Sequence, residues 1–147
     1  MKRYWILIFL GLVLFVISFF LIAVREAGAT QSDSGMRGYT CAYVALLSPW
    51  GSDGLRTLRE GPVGYFAVLF SGWINPVFLL TVVVLLIRPS GALAGVLRGV
   101  LLVMFLACWI VFYKEHLHPR AGYFLWTAAM LMALFADKLL RPAAASR

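Results

Sequence analysis

Two stretches of this chain, Tyr4 to Val24 and Val63 to Ile87, run for 21 and 25 residues without a charged side chain. That constrains the fold more than any other feature, because peptide groups surrounded by hydrocarbon must pair within their own segment or within a closed barrel. A third run, Ala92 to Tyr113, is broken only by Arg98. A fourth, Ala121 to Ala136, falls slightly short of a ~30 Å hydrocarbon core at ~1.5 Å per residue. It reaches Leu140 if Asp137 and Lys138 sit at the interface, where a lysine can extend its head outward. The alternation of a barrel strand is absent, so helices are expected. Composition agrees: 63% hydrophobic, 13% charged and a mean hydropathy of +0.91 do not describe a soluble domain. The expected fold is all-α, a single membrane domain with four transmembrane helices over about 4–24, 63–87, 92–113 and 121–140 and an outer loop over 25–62.

With four spans both termini share a side. Lys2, Arg3, Arg88, Arg98, Lys138, Arg141 and Arg147 then lie in short flanks on that side. Opposite them are Lys114, Arg120 and four arginines of a long loop balanced by Glu26, Asp33, Asp53 and Glu60. The denser flank is taken as cytoplasmic, in a bacterial inner membrane. The net charge of +7 is accounted for by topology and anionic headgroups, with no indication of nucleic acid. Lys2-Arg3, an apolar run and Ala27–Ala29 imitate a cleavable signal, but the run is long for a signal core and Arg25-Glu26 separates it from the small residues. It is read as a span.

Within the outer loop, "YTCAYVALLSPW" (Tyr39 to Trp50) is apolar and aromatic yet too short to cross. A short interfacial helix is expected, with Tyr39, Tyr43 and Trp50 at headgroup level or the segment folded as a lid on the bundle. Pairing of Cys41 with Cys108 would require that segment to fold down; a free, buried Cys108 is the simpler expectation.

"GALAGVLRG" repeats glycine every fourth residue, Gly91, Gly95 and Gly99, a spacing that lets a helix approach closely. The neighbour is another helix of the same bundle, a second copy of the chain or a partner. Ala129 and Ala133 offer a weaker version. Arg98, beside the ridge, either reaches lipid phosphates or pairs with Asp137.

"KEHLHPR" gathers Glu115, His116 and His118 in a short turn, which is fewer ligands than a zinc site needs. No phosphate-binding glycine loop, nucleophile elbow or metalloprotease helix is present, so no enzyme activity and no cofactor are expected. "SGWINPVFLL" sets Trp73, Asn75 and Pro76 inside the second span. Pro76 lacks an N–H and crowds the Gly72 carbonyl, while neither half of the span can cross alone. A kink or break near mid-membrane is expected, the Asn75 amide satisfying the freed backbone. No Asp or Glu lies deep in the spans, which argues against a cation-coupled transporter.

The order "GYTCAYVALLSPW", "SGWINPVFLL", "AGYFLWTAAM" resembles a family of small bacterial inner-membrane proteins with four helices. Trp73, Asn75, Pro76, Gly122, Tyr123 and Trp126 carry the resemblance, which implies a fold and a location but no reaction. The expected function is non-enzymatic binding of a membrane-embedded protein, in its most concrete form immunity against a pore-forming toxin. The competing expectation is an accessory subunit of a transporter or envelope complex, docked through Tyr39 to Trp50.

Overall fold

The computed structural model describes residues 2–26, 35–51, 61–114 and 116–139. They are mostly helical. In chain order the elements are α1 (Lys2–Phe20), β1 (Ile22–Glu26), β2 (Met36–Arg37), α2 (Gly38–Leu47), a 3-10 turn (Ser48–Trp50), α3 (Pro62–Ile87), α4 (Ala92–Lys114), β3 (Leu117–Pro119) and α5 (Ala121–Leu139). Of these, α3 and α4 are long and apolar enough to cross a membrane, whereas the apolar parts of α1 and α5 are shorter.

Local chemistry explains the ends of α3. Pro62 occupies the first turn, where its missing N–H costs nothing, and Pro89 follows the cap residue Arg88. Of the expected kink or break inside this element, the break is not found: one α-helix runs continuously through Asn75 and Pro76.

The first apolar run departs from its expected single helix over 4–24. Helix α1 ends at Phe20 and the chain continues as strand β1. Ser18 Oγ donates to Phe15 O at 2.6 Å in the last turn, and Gly38 N donates to Leu21 O at 3.0 Å just beyond it. A three-stranded antiparallel sheet of order β2-β1-β3 results, with Val24 opposite Pro119 and Glu26 opposite Leu117. The mostly helical chain fits the all-α expectation, with this one small sheet added to it. Hydrophobicity alone could not separate the two, since a short apolar run reads equally well as a buried strand or as the end of a helix.

The sheet ties the C-terminal end of α1 to the α4–α5 turn, and Arg98 Nη2 donates to the Tyr4 hydroxyl at 3.5 Å at the other end. The four long helices therefore alternate in direction. They associate as two pairs, α1 with α5 and α3 with α4, and the pairs touch each other more lightly. Gly11 faces Ala129 O and Met132 across the first pair. Between the pairs lies a core that includes Ile8, Phe15, Phe78, Leu85, Leu101 and Met130, with the Phe15 and Phe78 rings 4.5 Å apart. Helix α1 is thus an integral layer of the core.

Helix α2 crosses α3 where α3 has no side chain. A Cβ on Gly72 would collide with the Ala45 carbonyl and lie 2.9 Å from Leu46 Cα. Replacing Gly72 by Val should cost about 1–3 kcal/mol, the usual scale of overpacking, or lift α2. Cys41, on α2, reports the difference: burial pushes its thiol above the ordinary value, so little thiolate exists at neutral pH. In a Cys108→Ser background, modification of Cys41 by a polar maleimide is expected to be slow and to rise only at alkaline pH. Gly72→Val should speed it at fixed pH as exposure lowers the pKa again; an unchanged rate contradicts the seat.

Candidate functional site

A cavity of about 540 Å³ lies under α2 at the sheet end, bounded by both helix pairs and by β1. Each wall is positioned by a close backbone approach. Gly72 lets α2 settle on α3, while a Cβ on Gly38 would meet Ser18 O and Phe19 Cα at the end of α1. On α5, a Cβ on Gly122 would stand 3.0–3.1 Å from the carbonyl oxygens of Ser18, Leu21 and Ile22.

The polar centre of the wall is Asn75. Trp126 Nε1 donates to Asn75 Oδ1 at 2.9 Å, joining α5 to α3. Indole N–H is only a donor, so this bond fixes the amide orientation: Oδ1 is engaged and Nδ2 presents the two N–H groups. The expected role for Asn75, satisfying backbone freed by Pro76, is replaced by this cross-helix bond. Ser71 Oγ, also in the wall, donates back to Val68 O at 2.8 Å.

Aromatic rings support the pair. Trp126 stacks on Tyr123 at 5.3 Å and on Phe105 at 6.0 Å, and Tyr123 meets Phe112 at 4.2 Å. Tyr123 is 6% exposed; its Oη sits against Thr127 Oγ1 in a geometry that does not complete a hydrogen bond. Cys41 and Cys108 both line the cavity, both as free thiols. Arg25 on β1 is the one charged residue among the described lining, which includes no carboxylate.

The other expected site residues lie elsewhere. Trp73 and Pro76 are exposed on α3, apart from the cavity wall that Asn75 joins. Tyr39, Tyr43 and Trp50 are exposed on α2 and the turn after it, matching the expected short aromatic helix laid on the bundle. Gly91 lies in the turn before α4, whereas Gly95 and Gly99 lie on the helix itself, and a Cβ added at either would have nothing within 4 Å. The ridge therefore does not meet another described element of its own chain. Ala129 and Ala133 are instead fully enclosed. Arg98 binds Tyr4; the side chain of Asp137 and residue Glu115 lie outside the described residues. His116 turns the chain with φ 48° and His118 is exposed on β3, and among the described residues no three His, Cys, Asp or Glu converge.

Trp126 and Tyr123 stood out in the sequence, but neither Trp126 as the partner of Asn75 nor Tyr123 as the ring stacked on it was legible there. Their three-residue spacing on one helical face was the available signal.

No protein-family model, no curated protein and no solved structure matches the chain.

The Trp126–Asn75 bond is measurable. Trp126→Phe and Asn75→Leu should each destabilise the protein, with a coupling in the double-mutant cycle of about 0.6–1.7 kcal/mol, the range for hydrogen bonds between helices in lipid. Strictly additive losses in detergent unfolding would show that the bond contributes nothing.

Proposed function

We propose that this chain is a four-span protein of the bacterial inner membrane, with both termini cytoplasmic, that acts without chemistry of its own by binding another membrane-embedded helix. The observation that carries the proposal is the outward face of α4. Gly95, Gly99, Leu102 and Leu106 are all exposed, at the i, i+4, i+7, i+11 spacing of one helical stripe, while Ala94, Leu101, Phe105 and Cys108 turn inward. In lipid, apolar burial gives helices no reason to associate, so close backbone approach at small residues becomes a main attraction.

The membrane setting is supported by large apolar side chains left exposed on all four long helices, among them Phe9 at 67%, Ile87 at 71%, Val96 at 61% and Phe124 at 57%. A water-soluble surface rarely carries so much contiguous hydrocarbon. Helices α1 and α5, with 19 residues each, are about 28 Å long, enough to cross with flanking residues at the interface.

The most concrete form is immunity: the α4 face binds a helix of a pore-forming toxin within the bilayer. Co-expression with the toxin encoded beside this chain should keep cells alive. Gly95→Leu with Gly99→Leu should abolish protection while thermal stability is kept or raised, by up to about 2 kcal/mol, because among the described residues nothing lies within 4 Å of a Cβ at either site and leucine favours a helix over glycine. Cells that die with or without the intact protein refute immunity.

Exposed Tyr39, Tyr43 and Trp50 favour a second reading, an accessory subunit docked through α2. Purification in mild detergent separates the two, since a stoichiometric transporter or envelope partner lost on Tyr43→Ala and retained in the glycine variants supports docking through α2.

A further inference from the structure

We infer that the cavity under α2 binds a neutral lipophilic molecule through a carbonyl oxygen that accepts a hydrogen bond from Asn75 Nδ2. The inference stands apart from the α4 face: the cavity opens between the helix pairs and includes neither Gly95 nor Gly99.

Asn75 is the starting point. An amide in apolar surroundings is costly unless its donors and acceptor are paired. Trp126 occupies Oδ1, and among the described residues no group accepts from Nδ2. The remaining requirement is an acceptor, and Asn75 forms part of the wall of a space large enough to supply one. At about 540 Å³ the cavity falls within the ~300–1,000 Å³ usual for small-molecule sites.

The rest of the wall sets the ligand class. Carbon surfaces dominate, from Phe19, Val44, Ile74, Val111, Phe112 and the Trp126 ring, so a polar solute would lose its hydration without replacement. Among the described lining residues cations find no carboxylate. A molecule with an apolar body and one carbonyl meets both demands, the body against the rings and the oxygen on the amide. This chemistry is common to an acyl ester of a membrane lipid and to a free lipophilic carbonyl compound such as a quinone.

Site size and access are consistent with entry beside α2. That helix has no buried residue of its own and meets α3 in close backbone approach at Gly72. Cys41, Ala42, Val44 and Ala45 of α2 line the cavity, so displacing this helix opens the space.

Trp126 serves as the probe. In the full chain with Trp5, Trp50, Trp73 and Trp109 replaced by Phe, purified in a mild detergent, its fluorescence is titrated in two arms. One arm uses phosphatidylcholine with brominated acyl chains and the other a decyl-substituted benzoquinone, both contact quenchers. Saturable quenching is expected in at least one arm, and the arm that saturates identifies the source of the carbonyl. Asn75→Leu should weaken the apparent affinity roughly 3- to 10-fold, the range for one lost hydrogen bond. Ala42→Phe, which places a ring in the cavity from α2, should abolish saturation while the circular dichroism spectrum and Tm are kept. Quenching that rises without saturation in both arms overturns the inference, as does an affinity unchanged in both variants. If Asn75→Leu does not fold, the result with Ala42→Phe decides.

Discussion

The architecture depends on backbone lying directly against backbone at one end of the bundle. Helices α1 and α5 form one well-packed pair and α3 and α4 another, but side-chain contact between the pairs is lighter. What joins them at the sheet end is a set of approaches that only glycine permits. At Gly72 the α2 backbone rests on α3, and at Gly38 the start of α2 rests on the end of α1, while Gly122 lets α5 meet the end of α1 within the first pair. Because α2 begins at Gly38 against Ser18 and Phe19, it bridges the first pair to the second. Small residues thus set the close approaches at this end, while large apolar side chains such as Phe15, Phe78, Leu85 and Leu101 fill the core between the pairs.

The same chemistry has two destinations in this chain. Gly11, Ala129 and Ala133 are used internally, between α1 and α5. Gly95 and Gly99 have the same spacing logic and no described neighbour. A glycine inside a helix costs about 1 kcal/mol relative to alanine through backbone entropy, and two on an unoccupied face gain nothing within the chain to offset it. The asymmetry between these two sets separates glycines used within the chain from glycines without a described neighbour, which the shared spacing alone does not.

Much of the helical layout was legible from hydrophobic runs. The bounds of α3, α4 and α5 follow Pro62, Pro89 and the polar turn at Arg120, all of which act locally. So does α2, isolated by length and by Pro49. Strand β1 was not legible, because Ile22, Ala23 and Val24 continue the apolar composition of α1 without a marker, and their strand form depends on β2 and β3 arriving from distant parts of the chain. For the site, Asn75 was conspicuous and its partner was not. Counting from the helix ends, Asn75 lies 13 residues into α3 and Trp126 five into α5, so equal depth could not be assumed. Only the structure sets α3 projecting beyond α5 by about eight residues, ~12 Å at 1.5 Å per residue.

That offset changes what the Asn–Pro pair means. Placed at the centre of its own helix, Asn75 reads as a defect at mid-membrane for the backbone to repair. Placed level with Trp126, it lies only about one turn from the start of α5, beneath α2 and beside the cavity. Pro76 is exposed and the helix continues past it, so the proline need not create the site. The indole N–H orients the amide across two helices, and leaves the Nδ2 donors beside the cavity that Asn75 lines. A side chain expected to serve its own helix instead links the two helix pairs and defines the chemistry of the space between them.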